Sequence, residues 1–140
     1  MTINYATEDL KTRVRELTGG LGADVVYDPV GGQYSEPALR STAWEGRFLV
    51  IGFADGEIPR IPLNLALLKG CSIVGVFWGA FVGREPQRHR DNVAELLDWW
   101  KEGKLHPHVS STYPLERASE AIRELADCKA KGKVVVTIRG

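Results

Sequence analysis

Three stretches of the chain place ligand-approaching residue types directly after short apolar runs. Asp28-Pro29-Val30-Gly31-Gly32 follows Val25-Val26-Tyr27, Gly52-Phe53-Ala54 follows Phe48-Leu49-Val50-Ile51, and Phe77-Trp78-Gly79 follows Ile73-Val74-Gly75-Val76. Glycine lets a backbone pass close to whatever sits beside it, and Pro29 has no amide hydrogen to give a sheet ladder. Phe53, Phe77 and Trp78 offer apolar walls for a flat ring, with main-chain groups left to supply hydrogen bonds. A glycine after a strand often does no more than turn the chain. These three turns become a binding edge only if parallel strands set them side by side.

No other set of residues competes. His89, His106 and His108 have no carboxylate or cysteine at a telling spacing, and His106 and His108 flank Pro107. Ser110-Ser111-Thr112 lacks the glycine frame of a nucleophile elbow. Arg84, Arg88 and Arg90 read as a solvated face, and Trp99-Trp100 as packing. No catalytic residue and no metal ligand is assigned. Nor is there a G-x-G-x-x-G between a strand and a helix, the turn that holds a pyrophosphate. Gly19-Gly20-Leu21-Gly22 looks similar, but it follows a helix and precedes a strand.

The elements that position the turns alternate along the chain. Ile3 and Tyr5 fit the tail of a strand. Thr7 is a candidate N-cap for a helix carrying Leu10, Val14 and Leu17, which Gly19-Gly20 stops. Val25-Val26-Tyr27, bounded by Asp24 and Asp28, predicts a strand over 23–28 buried on both faces. A helix follows over about 34–43, a strand over 46–52, loop to Pro62 and a short helix ending near Gly70. A third strand spans 71–78. Val93, Leu96, Leu97 and Trp100 predict a helix over about 86–102. Residues 105–113 read as extended, a helix opens near Pro114, and Val134-Val135-Val136 makes the last strand. Alternation of this kind predicts an α/β fold with a mainly parallel sheet.

The charge balance excludes some partners. Eighteen basic and eighteen acidic side chains cancel, and no block of like charge suggests a nucleic-acid or anionic-membrane surface. No stretch approaches the roughly 20 apolar residues of a membrane span, and Met1-Thr2-Ile3-Asn4 does not read as a signal peptide. Cys71 and Cys128 lie far apart without metal-ligand spacing. The expectation is a reduced, cytoplasmic protein without nucleic-acid or membrane partners.

The run from Gly22 to Gly32 resembles the zinc-type alcohol dehydrogenase superfamily, the medium-chain dehydrogenase/reductases, and within it the quinone oxidoreductase branch. So do Gly46-Arg-Phe-Leu-Val-Ile-Gly52, Leu68 to Gly79, Tyr113 to Ile122, and Gly132-Lys-Val-Val-Val136. The resemblance implies the later half of a Rossmann-like parallel sheet in residues 1–104. It also implies a C-terminal return segment of the catalytic domain in 105–140, with the first catalytic segment and the glycine-rich turn missing. It implies NADPH as cofactor, with Asp28, Val30 and Gly31 toward its ribose or pyrophosphate. Gly52, Phe53 and Ala54 would then lie along the nicotinamide, with Phe77 and Trp78 beside its ring. Lys133 lies near the cofactor end in some relatives.

The activity so implied is hydride transfer to a quinone or an α,β-unsaturated carbonyl in a parent enzyme. The chain alone is expected to be inactive and to bind NADPH weakly. A homodimer through the strand at 71–78 is also implied. The alternatives are a non-catalytic self-association module or pseudoenzyme remnant, and an enoyl-thioester reductase of the same superfamily.

Overall fold

The structure, a computed structural model, describes residues 1–127 and 129–138; Cys128 lies outside them. The chain divides into two compact units, Met1–Arg84 and Glu85–Gly140. This division by packing puts the helix at 86–101 with the second unit, whereas the family reading grouped it with the first.

The first unit opens on α1 (Leu10–Leu17), capped by Asp9, whose side chain accepts from the Thr12 amide. The acidic cap is thus Asp9 and not Thr7. No strand precedes it. Residues 5–7 form a turn in which the Thr7 and Glu8 amides both donate to the Asn4 carbonyl, at 3.0 and 2.8 Å. The Tyr5 ring meets the Tyr34 ring edge-on, with centroids 4.9 Å apart. Then come β1 (Ala23–Asp28), a 3-10 turn over Gly32–Tyr34, α2 (Ser35–Arg40), β2 (Thr42–Val50), α3 (Asn64–Lys69), β3 (Ser72–Gly75) and α4 (Trp78–Arg84).

The three strands form one parallel sheet in the order β1-β2-β3. Its core lies on one face. Leu39 of α2, Phe48 of β2 and Leu65 of α3 are buried together, with Val26, Val50 and Ile61 against them. Side chains alternate along a strand, so Val26 and Asp28 face this cluster while Val25 and Tyr27 face away. The latter two are 43% and 66% exposed. The prediction that β1 is buried on both faces is therefore corrected: α2 and α3 cover one face only.

Two further boundaries moved. β2 starts at Thr42, ahead of Gly46, because the ladder tolerates a shift in register between Ala23 and Val25 and Glu45 takes a positive φ of 58°. The third strand ends at Gly75 and does not reach 78. Trp78 instead starts α4, where its ring lies 5.3 Å from that of Phe81, the i,i+3 spacing of neighbours on a helix.

The second unit holds α5 (Pro86–Lys101), β4 (Val109–Pro114), a 3-10 turn over Leu115–Arg117, α6 (Ala118–Ala126) and β5 (Lys133–Thr137). β4 and β5 pair in parallel and α6 packs on both. The Ser111 and Tyr113 hydroxyls each donate to the Glu124 carboxylate at 2.8 Å, tying strand to helix. No helix of the described residues is long and apolar enough to cross a membrane.

Candidate cofactor-binding edge

The register of the first unit's sheet sets the three turns in a row. Asp28 pairs with Val50, and Val50 with Gly75, so the strands end together at one carboxyl edge. In open parallel sheets this edge is where ligands bind. Main-chain hydrogen bonds then lace each turn to the next. The amides of Ile51, Ala54 and Asp55 donate to the carbonyls of Asp28, Pro29 and Val30 at 3.0, 3.1 and 2.9 Å, and Val76 donates to Val50 at 2.9 Å.

Asp28 ends β1 on the covered face and is only 8% exposed. One carboxylate oxygen accepts from the amides of Val30 and Gly31, both at 2.9 Å. The other accepts from the Ser35 hydroxyl at 2.6 Å. Three donors compensate the cost of burying the group. Its side chain is thus directed into the turn, where Gly31 and Gly32 are buried with it, Val30 is half-buried and Pro29 is exposed.

Gly31 sits at φ 75°, ψ −148°, a conformation essentially confined to glycine. A Cβ there would stand 2.8 Å from Phe53 Cδ1 and 3.1 Å from Phe53 Cα. The first turn therefore packs directly on the second. Phe53, Gly52 and Phe77 come together as the walls of a cleft of about 370 Å³, completed by Val50, Ile51, Gly75 and Val76. None of these residues is titratable. A Cβ at Gly75 would meet no atom within 4 Å, so the β3 side of the cleft is open backbone.

Such a cleft fits an uncharged flat ring and offers nothing to a phosphate. Of the sequence-predicted residues, Gly52, Phe53 and Phe77 share it and Gly31 buttresses it. Asp28 and Val30 line a separate apolar groove of about 220 Å³ beside Tyr5, Val26 and Tyr34. The Ala54 amide is taken by Pro29, and Trp78 lies in α4 beside Phe81. Lys133 belongs to the second unit, where its amide donates to the His108 carbonyl at 2.8 Å.

Sequence reasoning missed Gly75 and Ser35. A glycine inside a strand marks a close backbone approach, a signal that would have found Gly75. Nothing in the sequence pairs Ser35 with Asp28.

Two titratable groups elsewhere make structural bonds. Burial pushes the Lys69 ammonium below its usual value, and its Nζ donates to the Thr42 carbonyl at 2.6 Å. The hydrogen bond to Glu124 raises the Tyr113 phenol, because it favours the protonated form.

The chain matches the zinc-binding dehydrogenase family over residues 1–136. It belongs to that family. Among curated relatives, the quinone oxidoreductase-like protein 2 homolog of Nematostella vectensis is 42% identical over 139 residues, which is 99% of this chain and 38% of that protein. The solved structure of an NAD-dependent alcohol dehydrogenase superposes with a TM-score of 0.82 at 33% identity, over 99% of this chain and 38% of the other. A mycobacterial protein solved in complex with NADPH superposes with a TM-score of 0.79 at 30% identity, over 91% of this chain and 39% of its own.

This zinc-binding dehydrogenase chain thus spans about two fifths of the length of its relatives, corresponding to their C-terminal portion. The fold is the later, Rossmann-like half of a medium-chain dehydrogenase/reductase. Among the described residues no three His, Cys, Asp or Glu side chains cluster as a metal site, so these residues do not fit a zinc ion.

Proposed function

We propose that this chain carries the nicotinamide end of an NADPH site in a quinone oxidoreductase-like reductase. The observation that supports it is the apolar cleft at the carboxyl ends of three parallel strands, walled by Phe53 and Phe77. When bound, the nicotinamide supplies a hydride, in this reading to a quinone or an α,β-unsaturated carbonyl. The protein's part is to orient the ring and exclude water. Phe53 and Phe77 would flank it, Gly52 and Gly75 would let it lie against the main chain, and Val30 and Gly31 would approach the ribose. Ala54 and Trp78 would border the site.

The sequence holds no glycine-rich phosphate turn, so the chain by itself binds NADPH weakly and turns nothing over. Titration with NADPH, followed through backbone amide NMR shifts, tests this. Shifts gathered at Gly52, Phe53, Gly75 and Phe77 at millimolar cofactor support it. A dissociation constant in the low micromolar range contradicts the weak site, and shifts confined to other residues contradict its placement.

A non-catalytic second reading has its own support. Among the described residues the outer edge of β3 has no partner strand, and Ile73 and Val74 beside it are exposed. Unpaired edges recruit strands. Self-association through 71–78 predicts a dimer by sedimentation; a monomer at high concentration refutes it.

A further inference from the structure

We infer that Asp28 is a positioning residue for this edge: it touches no ligand itself but sets the place of the Phe53 wall. The inference rests on the function proposed above. Asp28 controls both adjoining turns through different atoms. Its carboxylate holds the Val30 and Gly31 amides at 2.9 Å, while its carbonyl accepts from Ile51 and Gly52 at 3.0 and 3.4 Å. Ser35, itself 1% exposed, anchors the second carboxylate oxygen to the start of α2 at 2.6 Å. Gly31, fixed by this carboxylate, lies so close to Phe53 that an added methyl would overlap the ring. Phe53 in turn lines the cleft. Displacing the carboxylate frees the turn, the turn frees Phe53, and the cleft loses its shape.

Asparagine separates geometry from charge. In Asp28→Asn one oxygen still accepts from both amides, and the side-chain NH2 donates to the Ser35 oxygen. Asp28→Ala removes all three bonds. Ser35→Ala removes one and leaves a buried carboxylate oxygen without its donor, which costs on the order of fivefold or more in the population of the ordered turn.

The test uses the whole chain and its three variants, with reduced nicotinamide mononucleotide as probe. Amide shifts and the dissociation constant are read well below each variant's melting temperature. D28N binds within about twofold of the parent, S35A on the order of fivefold more weakly, and D28A more weakly still, with Val30, Gly31 and Phe53 amides displaced. Should D28A fail to fold, D28N and S35A decide.

A folded D28A with the parent's constant and shift pattern overturns the inference, as does an equal loss in D28N and D28A, or S35A binding like the parent. A parent chain that responds nowhere on this edge overturns the proposed function itself, and the positioning role with it.

Discussion

Gly31→Ala tests whether the first turn is shaped by its own backbone and by Phe53. At φ 75° and ψ −148° a side chain is strained by about 1–3 kcal/mol. The new Cβ would also stand 2.8 Å from the Phe53 ring, 3.1 Å from Phe53 Cα and 3.3 Å from the Glu57 carbonyl oxygen. Two of those three atoms are main chain and cannot swing aside, so overpacking adds about 1–3 kcal/mol. The sum is roughly 2–6 kcal/mol. With a urea slope of about 2 kcal/mol per M, the unfolding midpoint falls by roughly 1–3 M.

The control is Gly19→Ala. Gly19 also has a positive φ, 61°, but a Cβ there meets nothing within 4 Å, so only about 1–2 kcal/mol of backbone strain applies. Urea unfolding is followed through the amide signals of β1 and β2, which report on the first unit. If Gly31→Ala loses no more than Gly19→Ala, the packing of turn on turn is refuted.

Three other outcomes are expected. Gly75→Ala changes stability by no more than about 0.5 kcal/mol, since the methyl meets no atom, yet it weakens nicotinamide mononucleotide binding in an NMR titration; unchanged binding means the cleft is not the site. The Tyr113 phenol titrates above its ordinary 10.0, so its contribution to the second unit is complete below pH 10 and is lost as pH rises through the raised value. In ultraviolet titration Tyr113→Phe should remove a late-titrating tyrosine; a late component that survives intact contradicts the bond to Glu124. The Asp9 carboxyl is held below 3.8 by its hydrogen bonds from Thr12. Its capping is therefore present above that pH and lost as pH falls through the lowered value, so Asp9→Ala weakens α1 at neutral pH and matches the parent in strong acid, by amide exchange at the former and circular dichroism at both.

Where local chemistry dominated, the fold was legible. Val25-Val26-Tyr27 between two aspartates delivered β1 at its predicted bounds, and the glycine-closed runs delivered a parallel sheet with its turns on one edge. What failed was decided by contacts that sequence does not display. The open face of β1 follows from helices covering one side of the sheet only. α4 was hidden because Gly79 and Gly83 are poor helix formers, and the Trp78–Phe81 ring contact within it is one i,i+3 pair. At the site, residue types gave Gly52, Phe53 and Phe77 but not direction. The family resemblance sets Asp28 toward the ribose or pyrophosphate; the bonds of its carboxylate to Val30, Gly31 and Ser35 are not displayed by the sequence.

The proposal most in need of a direct test is that the apolar cleft walled by Phe53 and Phe77 receives the nicotinamide end of a dinucleotide. Parallel titrations of the whole chain with reduced nicotinamide mononucleotide and with adenosine monophosphate separate that end from the other. Amide shifts are expected at Gly52, Phe53, Gly75 and Phe77 with the nicotinamide half and none there with the adenosine half. Shifts of equal size with adenosine monophosphate, or a nicotinamide response confined to residues away from the cleft, would contradict it.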